Sequence, residues 1–155
     1  MLCPYTISPF GSQSWRPSCR KLSSITPKSA RLLWLARSAR ERGLRIPLVQ
    51  ADLEDGGGIP LASACCGAVL VLRYLHRPLA AEIERVLRPG GVLLYETFTR
   101  HHAEVAQHPR NPAFLLEPGE LPRLFAGLEV LAAEEARVAA PAPAVLARLV
   151  ARKRA

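Results

Sequence analysis

Between Val69 and Phe98 the sequence runs without a gap through an apolar stretch, an amphipathic segment, the turn Arg88-Pro89-Gly90-Gly91 and a second apolar stretch. The pattern predicts a strand over Ala68–Leu72, an exit loop Arg73-Tyr74-Leu75-His76, a helix over Leu79–Leu87 and a strand over Val92–Thr97. Strand, helix and strand at this spacing make a right-handed βαβ unit, so the chain folds on an α/β plan with a largely parallel sheet.

The totals agree with one domain or a piece of one. A chain of 155 residues has room for one real core. With 49% apolar and 22% charged residues, the composition is that of a globular protein and not of a disordered one. No run of 18 or more apolar residues occurs, so no transmembrane span is expected. The net charge of +8 would suit an acidic partner. Yet the basic residues gather before Arg45 and at Arg148, Arg152, Lys153 and Arg154, in an alanine, leucine and proline background that GC-rich coding produces unaided. No nucleic-acid reading motif accompanies them, which argues against nucleic acid as the partner. The four cysteines, Cys3, Cys19, Cys65 and Cys66, have no metal-ligand spacing and fit thiols in a reducing, cytoplasmic setting.

Residues 1–29 differ in kind from the rest: rich in serine, threonine, proline and lysine, they contain no acidic residue. They are read as an atypical segment, disordered or a misassigned start, ahead of a domain over residues 30–155. From Ser29 to Arg42 leucines recur at helical spacing, and Gly43 stands where a helix C-cap belongs. Leu44–Leu53 reads as a short strand ending in an acid, with Pro47 confining it to an edge position. Further on, a short helix is expected over Gly119–Phe125, with strands over Leu128–Leu131 and Ala144–Ala151.

In the segment Leu87-Arg88-Pro89-Gly90-Gly91 and the strands around it, the chain resembles the second half of class I S-adenosylmethionine-dependent methyltransferases. The stretches Tyr95-Glu96-Thr97-Phe98, Arg110–Leu116 and Pro118-Gly119-Glu120-Leu121 resemble the tellurite-resistance-type small-molecule branch. The resemblance covers roughly Leu32 to Val150. It implies a partial Rossmann-like sheet, mostly parallel with an antiparallel last strand and with the first strands missing. Two departures stand out. Gly67 occupies the place of a usual acid, and no glycine-rich cofactor loop precedes Leu44. Two further βαβ units would need about 60 residues there, where the chain has 43.

The resemblance also implies site residues. Asp52 would accept from the adenine amino group, with Leu53 beside it, because an ionised Asp is acceptor-only. Capping of the following turn is the alternative role for Asp52. Arg73 and Tyr74, leaving the sheet at its carboxyl edge, would flank the cofactor. His76, Glu96, Phe98 and His101 would face substrate, with His102 and His108 in the same loop, which would form part of a lid. No metal site is expected. The chain is therefore read as a methyltransferase-family protein with S-adenosylmethionine as cofactor and a small-molecule methyl acceptor, incomplete and inactive alone. A non-catalytic module that oligomerises or binds a partner chain through an unpaired sheet edge is the alternative. A basic nucleic-acid-binding protein is the third reading. If no strand precedes it, Ala68–Leu72 would be joined either by the strand ending at Asp52 or by Cys3–Ile7.

Overall fold

The structure is a computed structural model that describes residues 30–155 apart from 107, 110, 140 and 141. Residues 30–60 and Leu61–Ala155 form two compact units.

In the first unit, α1 spans Ala30–Glu41. It ends as its glycine predicts: Gly43 adopts φ 68°, its N–H reaches the Arg40 carbonyl at 3.0 Å, and the Leu44 N–H reaches that of Ala39 at 2.9 Å. This paired closure satisfies carbonyls that the helix end leaves open. The strand expected over Leu44–Leu53 does not form; residues 44–60 carry no regular secondary structure. Pro47 removes one ladder donor, and the acids downstream make local turns instead. Asp52 Oδ1 accepts the Glu54 N–H at 2.9 Å, and Asp55 Oδ1 accepts that of Gly57 at 2.7 Å.

The second unit holds the sheet, built from β1 (Cys66–Leu72), β2 (Leu87–Phe98), β3 (Glu129–Val138) and β4 (Ala144–Arg152) in the order β1-β2-β4-β3. β1 and β2 are parallel and joined through α2 (Leu79–Val86). β4 lies antiparallel to both β2 and β3. This is the expected α/β plan with an antiparallel final strand. Among the described residues β1 has β2 as its one neighbour. The strand ending at Asp52 therefore does not join it, and Cys3–Ile7 lies outside the described residues.

Alternation sorts the faces. Val69, Val71, Leu93, Tyr95, Leu149 and Ala151 are buried, as are Leu79, Ile83 and Val86 on the inner side of α2 and Leu121 and Phe125 at α3 (Glu120–Leu124). Each such large apolar side chain contributes about 1.5–3 kcal/mol. The Tyr95 and Phe125 rings meet at 5.5 Å. On the opposite face Leu94 and Leu72 are exposed, and charged residues pair across strands.

β3 is longer than its apolar start predicts. Its segment Leu131-Ala-Ala-Glu-Glu-Ala-Arg137 is rich in helix formers, but pairing with β4 from Glu129 to Val138 overrides that preference.

The amino end of the parallel pair is closed by backbone groups. Gly90, at φ 73°, donates to the Lys153 carbonyl at 2.9 Å, and the Lys153 N–H donates to Gly91 at 2.8 Å. The Lys153 ammonium donates to the carbonyls of Glu84 at 2.6 Å and Leu87 at 2.9 Å, capping the end of α2 where a cation is favoured.

Candidate functional site at the carboxyl end of the parallel strands

β1 leaves the sheet through Arg73, whose φ of 55° lies in the left-handed region. That conformation costs a side-chain-bearing residue roughly 1–2 kcal/mol. It is held from two sides. The Arg73 N–H donates to the Glu96 carbonyl at 2.8 Å, and the buried Tyr95 hydroxyl donates to the next carbonyl, that of Tyr74, at 2.8 Å. Burial pushes the Tyr95 phenol well above its ordinary range, so it stays a donor.

The Arg73 side chain continues the pattern. Its Nε donates to Glu96 Oε1 at 3.1 Å, and its Cζ lies 4.7 Å from the centroid of the Phe98 ring. The other carboxylate oxygen of Glu96 takes Arg148 Nε at 2.8 Å, and Arg148 Nη1 goes on to Glu134 at 2.8 Å. The hydrogen bonds it donates to Glu134 and then to Glu96 hold the Arg148 guanidinium further above its usual range. Register explains the ladder, since Glu96, Arg148 and Glu134 stand opposite one another on neighbouring strands.

The predicted substrate residues Glu96 and Phe98 thus come together with the predicted cofactor residue Arg73, but each already has partners within the protein. The Phe98 ring also meets that of His102 at 4.2 Å with an interplanar angle of 31°. His102 is 3% exposed. Its Nε2 lies 2.9 Å from the His108 carbonyl, and its Nδ1 accepts the Val145 N–H at 3.3 Å. A carbonyl needs a donor and an amide needs an acceptor, so this ring is the neutral Nε2–H tautomer. His101 is exposed and pairs with Glu104 at 2.9 Å. That hydrogen bond holds the Glu104 carboxyl below its ordinary range. The histidines do not converge, and among the described residues no group of three or more His, Cys, Asp or Glu could hold a metal ion.

His76 takes the role of a helix start: its carbonyl accepts the Leu79 N–H at 3.0 Å. Tyr74 sits beside Arg73 in the pinned exit loop. Asp52 and Leu53 belong to residues 30–60, where the Asp52 carboxylate caps its own turn.

Arg77 and Arg148 were not singled out in the sequence as site residues. Arg77 pairs with Glu120 through Nε at 2.5 Å and Nη2 at 2.9 Å, and donates to the carbonyls of Ala113 at 2.9 Å and Leu115 at 3.0 Å. One guanidinium therefore fastens the segment after β2 to the β1 exit. The pairing holds Arg77 above and Glu120 below their usual ranges, chiefly through the hydrogen bond between them. An Arg directly before Pro78, with the acid forty-three residues away, leaves no local pattern to read.

No protein-family model matches the sequence, and no curated protein is similar enough in sequence to match it. Solved structures do match. TehB from Haemophilus influenzae superposes with a TM-score of 0.63 at 14% identity, over 79% of this chain and 46% of that one. The [4+2]-cyclase SpnF gives 0.59 at 20% identity, over 77% of this chain and 60% of that one. The 1,6-didemethyltoxoflavin-N1-methyltransferase of Burkholderia thailandensis, solved with bound 1,6-didemethyltoxoflavin and S-adenosylhomocysteine, gives 0.53 at 19% identity, over 78% of this chain and 56% of that one. The chain thus spans between 46% and 60% of the length of these three structures. A cyclase among them shows that this scaffold hosts more than one chemistry. What the chain shares with them is the fold: part of the Rossmann-like sheet of S-adenosylmethionine-dependent methyltransferases, with an antiparallel final strand.

Proposed function

We propose that this chain binds S-adenosylmethionine at the carboxyl end of β1 and β2 and belongs to a methyl-transfer system acting on a small molecule. The observation that carries the reading is the pinned β1 exit, in which Arg73 is held in a costly conformation, and the next carbonyl, that of Tyr74, is tied down, where open α/β folds place ligands. Such a donor supplies a sulfonium methyl group, which an acceptor's lone pair takes by in-line displacement. The protein's share is to hold the two in line and dry. In this chain the exit loop does the holding, Glu96 and Phe98 set the Arg73 side chain, and the segment fastened by Arg77 covers the carboxyl end. His101, backed by Glu104, is an exposed group in that segment with a ring nitrogen to offer an acceptor's proton. His76 starts α2. Asp52 and Leu53 are kept as the adenine contacts that the resemblance implies, and the variant below tests them by binding alone. Because no glycine-rich strand-to-helix loop is found in residues 1–43, affinity is expected to be weaker than that fold otherwise allows, each lost bond to a charged ligand being worth about 1.5–3 kcal/mol.

Calorimetric titration with S-adenosylmethionine and S-adenosylhomocysteine tests this. Micromolar binding that weakens about tenfold or more in Asp52→Ala supports both the ligand and the adenine contact. No heat from folded protein at millimolar ligand retires the reading.

A second reading rests on the sheet edge. The outer side of β1 is unpaired among the described residues, and Leu72 is 56% exposed on the same strand. Such an edge suits strand addition by a second copy or a partner chain. A stable oligomer by light scattering that binds neither ligand would favour it.

A further inference from the structure

We propose that Arg73 is a carboxylate-recognition residue whose terminal guanidinium nitrogens form an open fork for a ligand. Three observations meet at this side chain. First, only Nε is engaged, on Glu96; among the described residues Nη1 and Nη2 have no hydrogen-bond partner, and the side chain is 40% exposed. Second, Glu96 does not cancel the arginine's charge alone, because its other oxygen is shared with Arg148 at 2.8 Å. Third, the guanidinium is laid on Phe98, whose ring is backed by the buried His102, so its orientation is set before any ligand arrives. An arginine held by Nε and by its flat face presents two parallel N–H groups outward, the geometry that matches a carboxylate bidentately. The residue itself leaves the carboxyl end of β1 on a strained backbone that its neighbours hold in place.

The proposal deepens the methyl-transfer reading and rests on it for the ligand's position. Two carboxylates could fill the fork: that of the donor's amino-acid portion or that of an acidic acceptor. The test separates them. The Nε–Hε resonance of Arg73, assigned by its loss in Arg73→Lys, is followed while wild-type protein is titrated with S-adenosylhomocysteine or with 5′-methylthioadenosine, which lacks the amino-acid portion. A second pair is benzoate and its neutral isostere benzamide. Affinities are then measured for wild type and for Arg73→Lys, which keeps the charge and the pairing with Glu96 but loses the fork.

If the donor's carboxylate is the ligand, S-adenosylhomocysteine moves the resonance and binds Arg73→Lys about tenfold more weakly, while 5′-methylthioadenosine does neither. An acceptor's carboxylate is indicated when benzoate alone does both and benzamide does not. An Arg73 resonance unmoved by saturating S-adenosylhomocysteine and by millimolar benzoate, or equal affinities in wild type and variant, overturns the proposal. Should benzoate move Arg73 while S-adenosylhomocysteine fails to bind folded protein, the methyl-transfer reading falls and the carboxylate site stands.

Discussion

The two ends of the β1–β2 pair are built from similar residues to opposite effect. At the amino end the cation Lys153 is turned inward on the fold: its ammonium caps the carbonyls of Glu84 and Leu87, and its backbone interlocks with Gly90 and Gly91. At the carboxyl end the cation Arg73 is held by one nitrogen and one ring face, on a strained backbone, with its fork unspent. A charged group whose bonds run to backbone carbonyls stabilises the fold. One held rigidly with donors left over is arranged for something that arrives later. The difference lies in hydrogen-bond accounting, not in residue type, and it is the reason the site is proposed at the carboxyl end.

The contrast predicts that changes at the amino end cost stability and spare binding. The largest effect is expected for Gly91→Val. Even a Cβ there would stand 2.8 Å from the Arg88 carbonyl oxygen and 3.0 Å from that of Cys66, both backbone atoms that cannot step aside. A loss of about 3 kcal/mol in denaturant unfolding is expected, with ligand affinity unchanged in the folded fraction. Lys153→Met removes two charged hydrogen bonds and should cost about 2 kcal/mol by the same measurement. A fall in ligand affinity with either variant, at full folding, would break the distinction between the ends.

At the carboxyl end, Arg77→Met should act locally. Because the guanidinium is 37% exposed, the global cost is about 1 kcal/mol. The N–H groups of Leu116 and Glu117, which bond Phe98 and Glu120, should exchange with solvent faster, while that of Lys153 keeps its protection.

The smallest effect is the pH dependence of the same clasp. The Arg77 hydrogen bond holds Glu120 below the usual carboxylate range. The clasp therefore contributes fully above the unfolded value of about 4.3 and is lost as pH falls through the lower folded value. Acidification from neutral pH should speed exchange at Glu117 only below about pH 4, and Glu120→Gln should abolish that dependence. Loosening near pH 6 instead would assign the clasp to a histidine.

Legibility in the sequence followed the range of the interactions. The βαβ unit was readable because apolar period, helix pattern and the Pro-Gly-Gly turn all act within thirty residues. Gly43 as a helix stop was readable for the same reason. Leu44–Leu53 misled because an apolar run promises a strand only if an edge accepts it, and Asp52 satisfied the local backbone instead. β3 was under-read because Ala and Glu dominate it, and only pairing with β4 makes it extended. In the site, Arg73 is expected from the sequence as a cofactor residue and Glu96 and Phe98 as substrate residues; the structure brings the three into contact. Their dependence on Arg148, and the Arg77–Glu120 clasp, rest on register and on separations of 52 and 43 residues, which no local pattern carries.

The most direct test of the central contrast is an amide NMR titration of the folded chain with S-adenosylhomocysteine. The account predicts shifts at Arg73, Tyr74 and Glu96, with Gly90, Gly91 and Lys153 unmoved. Shifts confined to the amino-end residues, or none at millimolar ligand, would contradict it.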